Sequence, residues 1–274
     1  MTSLFLYAGW LLLGLSTEML PPRVNPTAKT LAARFTPPPG FQRLPYAPGT
    51  FAAYLANCPL KPWGTKVYYY NGKLNPEPDL SASVLDFDVG TRDLQQCADA
   101  VIRLRAEYLY QQRRYEAIHF NFTSGFRADY AKWAAGYRIR VQGGEVTWYK
   151  AARPDYSPRT FRAYLAVVFT YAGTQSLSRE LRAVASSDSV RPGDVFIRGG
   201  SPGHAVLVLD VAQNCQTRQR VFLICQSYMP AQSIHVLVNR TDAALSPWYN
   251  LATANQLKTP QWTFEKTELR RFTD

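Results

Sequence analysis

Histidine is scarce in this chain, with three in 274 residues, and cysteine is sparse, with four. No two cysteines stand two residues apart, so the paired spacing of a structural zinc site is absent. No phosphate-binding glycine loop, dinucleotide fingerprint or Gly-x-Ser-x-Gly elbow occurs, which removes the common nucleotide-dependent enzymes and elbow-type serine hydrolases. Nothing places Glu107 and Glu116 across a cleft as a glycosidase requires. Charged residues make up only 19%, yet their balance gives a formal net charge of +11. Those charges are scattered, with Arg113-Arg114 and Arg270-Arg271 as the only tight pairs. Without a basic helix or an aromatic-basic stretch, nucleic acid is not an expected partner. No metal or cofactor is called for.

Apolar residues reach 46%, enough for one large domain with a real core, and seventeen Tyr and six Trp point to broad aromatic packing or a stacking surface. The positive balance suits an anionic partner such as an acidic cell-wall polymer. Leu4 to Leu15 is an apolar run of signal-peptide length, too short for a stable membrane span. Residues 1–20 therefore read as a leader, although no basic segment precedes the run. Export to the periplasm or cell envelope is the expectation. No cysteine follows the run closely enough for a lipid anchor. Residues 21–50 are proline-rich and read as an extended approach to a single domain over 51–274. Four cysteines allow two disulfides in an oxidising compartment, and Cys215 with Cys225 can pair across a loop.

Along the domain, Phe51 to Leu55 reads as a helical turn. Lys66 to Tyr70 followed by Asn71-Gly72 reads as a strand and hairpin turn. Val84 to Val89 alternates like a strand, with Asp86 and Asp88 on one face. Leu94, Cys97, Val101, Leu104 and Tyr108 fall three or four apart and predict one buried stripe on a long helix capped by Thr91 or Asp93. Cys97 then lies about one turn inside, with Arg103, Glu107 and Arg114 facing outward. Ala117 to Phe122 is a short strand, Ala134 to Val141 pairs with Glu145 to Tyr149, and Phe161 to Tyr171 and Leu177 to Val184 are helices. Val195 to Ile197, Ala205 to Leu209 and Val221 to Ser227 are strands, the last two antiparallel. Trp262 to Phe264 is expected as an edge strand. The fold class is α+β, a central helix packed on an antiparallel sheet.

The stretch from Arg191 to Asp210 organises these parts. Its Gly-Gly-Ser-Pro-Gly turn delivers His204 to the start of a buried strand, where a base is held rigidly beside solvent. With Cys97 near a helix start and Gln226 on the next strand, the order and placement are those of a papain-like catalytic site. Helix-start amides favour a thiolate and receive an oxyanion, histidine carries the proton, and a third group sets its tautomer. Gln226 is the first choice for that third group and His235 the substitute. Asp210, six residues past His204, is too far along its own strand. Gln95 or Gln96 can donate to an oxyanion. His119 and Asn121, Tyr228 and His235 border the expected substrate groove. A core thiol and a histidine that simply closes a turn explain the same residues without catalysis.

The stretches Val84–Tyr110, Ala117–Tyr137, Val168–Leu181 and Pro192–Phe264 resemble an uncharacterised bacterial domain family, usually exported and of unassigned function. More distantly, Pro192-Gly-Asp194-Val-Phe-Ile with Gly203-His204-Ala-Val-Leu-Val is similar to the histidine region of papain-like cell-wall amidases and peptidases. Gln96-Cys97-Ala98-Asp99 then matches their nucleophile region and Gln226 their third position. The resemblance implies a papain-like fold and acyl transfer through a thioester on a peptide or amide bond of peptidoglycan. The competing expectation is a non-catalytic envelope-binding or structural protein of the same shape, with Cys97 buried away from His204.

Overall fold

The computed structural model describes residues 24–77, 79–251 and 255–273. The expected leader therefore lies outside the described residues. The proline-rich stretch from Val24 onward is packed. It carries α1 (Leu31–Arg34) and β1 (Phe41–Arg43), and Leu31 and Phe35 sit in the core. Arg34 is itself buried, donating to the carbonyls of Ala28 and Lys61 and to Ser83 Oγ. Those bonds tie this segment to the body of the domain.

Helix α2 (Phe51–Ala56) starts where Thr50 Oγ1 accepts the Ala53 N–H at 3.2 Å. It is followed by β2 (Ser81–Val84) and by the long α3 (Cys97–Gln111). Next come the hairpin β3 (His119–Asn121) and β4 (Arg127–Asp129), helix α4 (Tyr130–Ala134), and the hairpin β5 (Tyr137–Gln142) and β6 (Glu145–Lys150). Ser157 caps α5 (Pro158–Tyr171), and α6 (Thr174–Glu180) follows. The remaining elements, two short 3-10 turns aside, are strands: β7 (Arg182–Ala183), β8 (Val195–Arg198), β9 (His204–Asn214), β10 (Arg220–Gln226), β11 (His235–Leu237), β12 (Tyr249–Asn250), β13 (Gln256–Lys258), β14 (Thr263–Glu265) and β15 (Leu269–Arg271).

Nine strands form one antiparallel sheet in the order β2-β11-β10-β9-β8-β15-β7, with β1 beside β9 and β12 beside β10. Strand β9 is its spine. The run Ala205 to Ala212 is buried on both faces because both faces are covered. On one face Ala205, Leu207 and Leu209 meet α3 through Val101 and Leu104; on the other Val206 and Val208 meet Phe222, Ile224 and Phe264. The protein is thus a mixed α+β fold with helices packed against a large antiparallel sheet. Truncating a fully enclosed residue such as Leu104 to Ala is expected to cost about 2–5 kcal/mol.

Several local expectations change. Helix α3 begins at Cys97 rather than near Leu94, because Gln96 is extended and its N–H is taken by Asp99 Oδ2 at 3.0 Å. Arg103, expected to face outward, is buried between Gln95 Oε1 at 2.8 Å and Glu107 Oε1 at 2.6 Å. The predicted strand from Val84 ends where it was to begin: β2 is Ser81–Val84. Lys66 to Tyr70 makes isolated bridges only, Tyr68 with Leu74 and Tyr69 with Gln232. At the tail, β14 pairs with β13, and it is β15 that joins the main sheet beside β8. All four cysteines are free; Cys225 is buried in β10 while Cys215 is exposed, so they do not pair. No helix among the described residues is long and apolar enough to cross a membrane.

Candidate functional site

Cys97 is the first residue of α3, and the segment before it is pinned by the residues that follow β10. Ser227 Oγ donates to the Gln95 carbonyl at 2.8 Å, and Asp93 Oδ1 accepts both the Ala231 N–H at 2.7 Å and Gln96 Nε2 at 3.0 Å. This lashing holds the helix start against the end of β10. The backbone N–H groups of Ala98, Ala205 and Cys97 itself act on the sulfur in the direction that favours the thiolate. Burial outweighs them and, with the Asp99 carboxylate, pushes the thiol up to about 11. Cys97 nevertheless keeps part of its surface exposed. The Ala205 contact matters most for placement, since Ala205 follows His204 directly.

His204 opens β9 after Gly203, whose lack of a side chain is required: a Cβ there would collide with the Gly200 carbonyl and lie 2.8 Å from that of Arg198. By strand alternation its ring points to the face opposite α3, so only at the rim can helix and imidazole approach each other. The ring lies among Tyr228, Trp262 and Phe264, with centroids 4.8, 5.4 and 5.8 Å away. Its Nε2 is 2.8 Å from Gln226 Oε1. An amide oxygen only accepts, so Nε2 carries the proton and Nδ1 holds a lone pair. Burial lowers the His204 pKa to about 4; the Gln226 bond opposes this and nearby His235 adds to it. No hydrogen bond joins the Cys97 sulfur to the ring.

The structure therefore brings Cys97, His204, Gln226, Tyr228 and His235 to one rim of the sheet. Tyr228 is half-buried, and its hydroxyl pKa is raised by burial and then by Cys97 and Glu77. His235 stands directly across from Gln226 and is fully buried. Its Nδ1 donates to the Ser233 carbonyl at 2.8 Å, while Nε2 has no partner. Burial lowers its pKa to about 4. Gln96 commits its amide to Asp93, whereas buried Gln95 is held by Arg103 and keeps Nε2 without a partner. His119 and Asn121 are elsewhere: they lie on the β3–β4 hairpin, where Asn121 N donates to Glu180 Oε1 at 2.7 Å. Burial and then Arg127 lower the His119 pKa. Asp210 serves Arg43 and Tyr46 instead of the histidine.

Sequence reasoning missed the residues behind Gln226. Gln226 Nε2 donates to Gln261 Oε1 at 2.6 Å, Gln261 Nε2 donates to Glu77 Oε2 at 2.9 Å, and Glu77 Oε1 meets Arg240 Nη1 at 3.1 Å. Residues 77 and 261 share no local motif, and only the folded sheet brings them together. Asp99 was the more legible omission, because Gln96-x-x-Asp99 has the spacing of a reciprocal helix cap. Among the described residues, no three His, Cys, Asp or Glu side chains converge as a metal site would need. The chain belongs to the family described as domain of unknown function 4846, which matches residues 31–271. No curated protein and no solved structure gives a significant match.

Proposed function

We propose that this protein is a cysteine-dependent amidase or peptidase of papain-like type, with Cys97 as nucleophile, His204 as base and Gln226 as orienting residue. The observation that carries the reading is the Cys97 sulfur at the head of α3, under the influence of the Ala205 N–H that adjoins His204, whose Nε2 is already occupied by Gln226. In the proposed reaction the sulfur exchanges the Ala205 N–H for His204 Nδ1. The thiol proton passes to Nδ1 as the sulfur lone pair bonds the amide carbon and the carbonyl pair moves to oxygen. The C=O re-forms as the C–N bond breaks, and Nδ1–H protonates the leaving amine. Water then attacks the thioester, its proton passing to Nδ1; the C–S bond breaks, the carboxylic acid leaves and the thiol is restored. Gln95 Nε2, a buried amide donor without a partner, is the candidate for the oxyanion. A peptidoglycan amide is the substrate class proposed, since an anionic wall polymer suits a chain of net charge +11, with export as its setting.

One observation favours a non-catalytic binding protein instead. Burial drives the thiol toward about 11 and the imidazole toward about 4, so the resting pair is neutral rather than thiolate and imidazolium. Iodoacetamide alkylation separates the readings. Cys215 is exposed and would mask the result, so the experiment uses Cys215→Ser with Cys97→Ala as blank. The hydrolase reading expects Cys97 to react at pH 7 and His204→Ala to slow it by about a hundredfold, the usual reach of a positioned base. A folded protein in which Cys97 stays inert, or reacts equally well without His204, excludes it.

A further inference from the structure

We infer that Glu77 is a positioning residue that sets the His204 tautomer through two intervening glutamine side chains. A glutamine amide presents a donor at one end and an acceptor at the other, so a row of them can run in either direction. A carboxylate only accepts. At Glu77 Oε2 it therefore takes the Nε2–H of Gln261, at 2.9 Å. Gln261 must then offer its oxygen to Gln226 Nε2, at 2.6 Å, and Gln226 its oxygen to His204 Nε2, at 2.8 Å. One acceptor-only group at the end of the row thereby fixes the sense of all three bonds. The imidazole is left with its proton on Nε2 and its lone pair on Nδ1. Reversing the row would set the Gln261 oxygen against the Glu77 carboxylate, two acceptors facing each other.

The row is built into the fold at each step. Gln226 ends β10 and is almost wholly enclosed. Gln261 directly precedes Trp262, whose ring covers His204 at 5.4 Å. Glu77 is half-buried, with its second oxygen on Arg240 at 3.1 Å. That ion pair keeps the carboxylate aimed, but it adds nothing to the direction of the row. For catalysis the inference rests on the hydrolase reading, which needs the Nδ1 lone pair. The tautomer itself is a property of the resting protein and holds whether or not the protein hydrolyses anything.

The test is nitrogen-15 NMR of the full chain labelled at histidine, at pH 7, where burial keeps the ring neutral. Signals are assigned to His204 by their loss in His204→Ala. The wild type is expected to show one tautomer, proton on Nε2. Glu77→Gln is expected to lower the tautomer ratio about tenfold, the scale of one charge-assisted hydrogen bond. The double variant Glu77→Gln/Gln261→Glu moves the acceptor-only group one step along the row and is expected to restore the single tautomer. Arg240→Gln, which removes the ion pair and leaves the row of amides intact, is expected to leave the ratio unchanged. A merely structural role for Glu77 predicts no rescue by the double variant, because the Arg240 pair is still missing. A single Nε2–H tautomer in Glu77→Gln, or failure of the double variant to restore it while its melting curve shows a folded protein, overturns the inference. An intact tautomer pattern with an inert Cys97 would sink the hydrolase reading alone.

Discussion

Strand β9 holds buried ionisable groups in two places, and their surroundings are opposite. His204 opens the strand; Asp210 lies six residues on, roughly 20 Å away for an extended chain. Around Asp210 every bond is made. Its Oδ2 meets Arg43 Nε at 2.8 Å and its Oδ1 takes the Tyr46 hydroxyl at 2.8 Å and the Val211 N–H at 2.9 Å. Neighbouring Asp194 is held likewise by Arg271 Nε at 2.6 Å and Nη2 at 2.8 Å, with the Arg191 N–H at 2.9 Å. Burial still raises both carboxyl pKa values, against the pull of those partners. Around His204 there is no counter-charge on the ring, and His235 Nε2, Gln95 Nε2, Trp262 Nε1 and Asp99 Oδ1 are buried without partners. Unsatisfied buried polar atoms are destabilising, and while seven others are spread over the described residues, none belongs to Asp210 or to its partners Arg43 and Tyr46.

The largest expected effect is at the satisfied end. Asp210→Ala takes the carboxylate from Arg43 Nε and leaves the Tyr46 hydroxyl only its Val211 bonds, and should cost about 3–5 kcal/mol, the range for breaking a buried ion pair. For a chain of this length that is a fall in melting temperature of roughly 6–20 °C. At the other end, His235→Leu removes an imidazole with one bond and one orphaned nitrogen, and should fall within about 1 kcal/mol of wild type. Thermal denaturation of the two variants side by side checks the contrast. Equal losses would show that the rim is held as tightly as the Asp210 cluster, and the comparison would collapse.

That contrast also explains what was legible in the sequence. Apolar runs with turn signals between them are local, so β8, β9 and β10 and the placement of His204 and Gln226 follow from the residues themselves. The head of α3 was misread because Leu94 continues the apolar period of Val101 and Leu104, while the start is decided by the Gln96–Asp99 bond. Arg103 looked solvated because its buried partner, Gln95, lies before the helix rather than on its surface. Glu77, Gln261 and Trp262 carry no signature, since a hydrogen bond between residues 184 apart leaves no spacing to find. Partnerless atoms are invisible in a sequence for the same reason: they are defined by what the fold brings near them.

The next effect is in acid. His204 and His235 have native pKa values near 4 against an ordinary 6.5. Between those values the unfolded chain binds protons that the native one refuses, so stability rises with pH and is lost as pH falls from about 6.5 to about 4. Each histidine contributes up to about 1.4 kcal/mol per pH unit, about 3 kcal/mol over the window. Urea titrations at pH 7 and pH 5 should show His235→Leu losing less than wild type on acidification. Glu180 acts with the opposite sign: burial raises it to about 7, opposed by the Asn121 N–H and Arg127. Its contribution is complete below about pH 4.5 and is lost as pH rises through 7, so Glu180→Gln should flatten the neutral limb. Identical acid slopes for wild type and His235→Leu would mean that His235 takes up its proton without unfolding cost.

The smallest effect is expected where the row behind His204 reaches the surface. Arg240 and Glu77 pair at 3.1 Å with their side chains 42% and 31% exposed. An ion pair in that much water contributes about 0–1 kcal/mol, weakening further as salt is added. Arg240→Gln should therefore shift the urea midpoint barely, in contrast with Asp210→Ala, which removes a carboxylate wholly enclosed. A loss above about 2 kcal/mol would place the Glu77 end with the satisfied cluster. It would also mean that the tautomer control substitution is not neutral to the fold. The expected insensitivity has a physical reason: Glu77 gives the row its direction by being unable to donate, and that property needs neither Arg240 nor a strong ion pair.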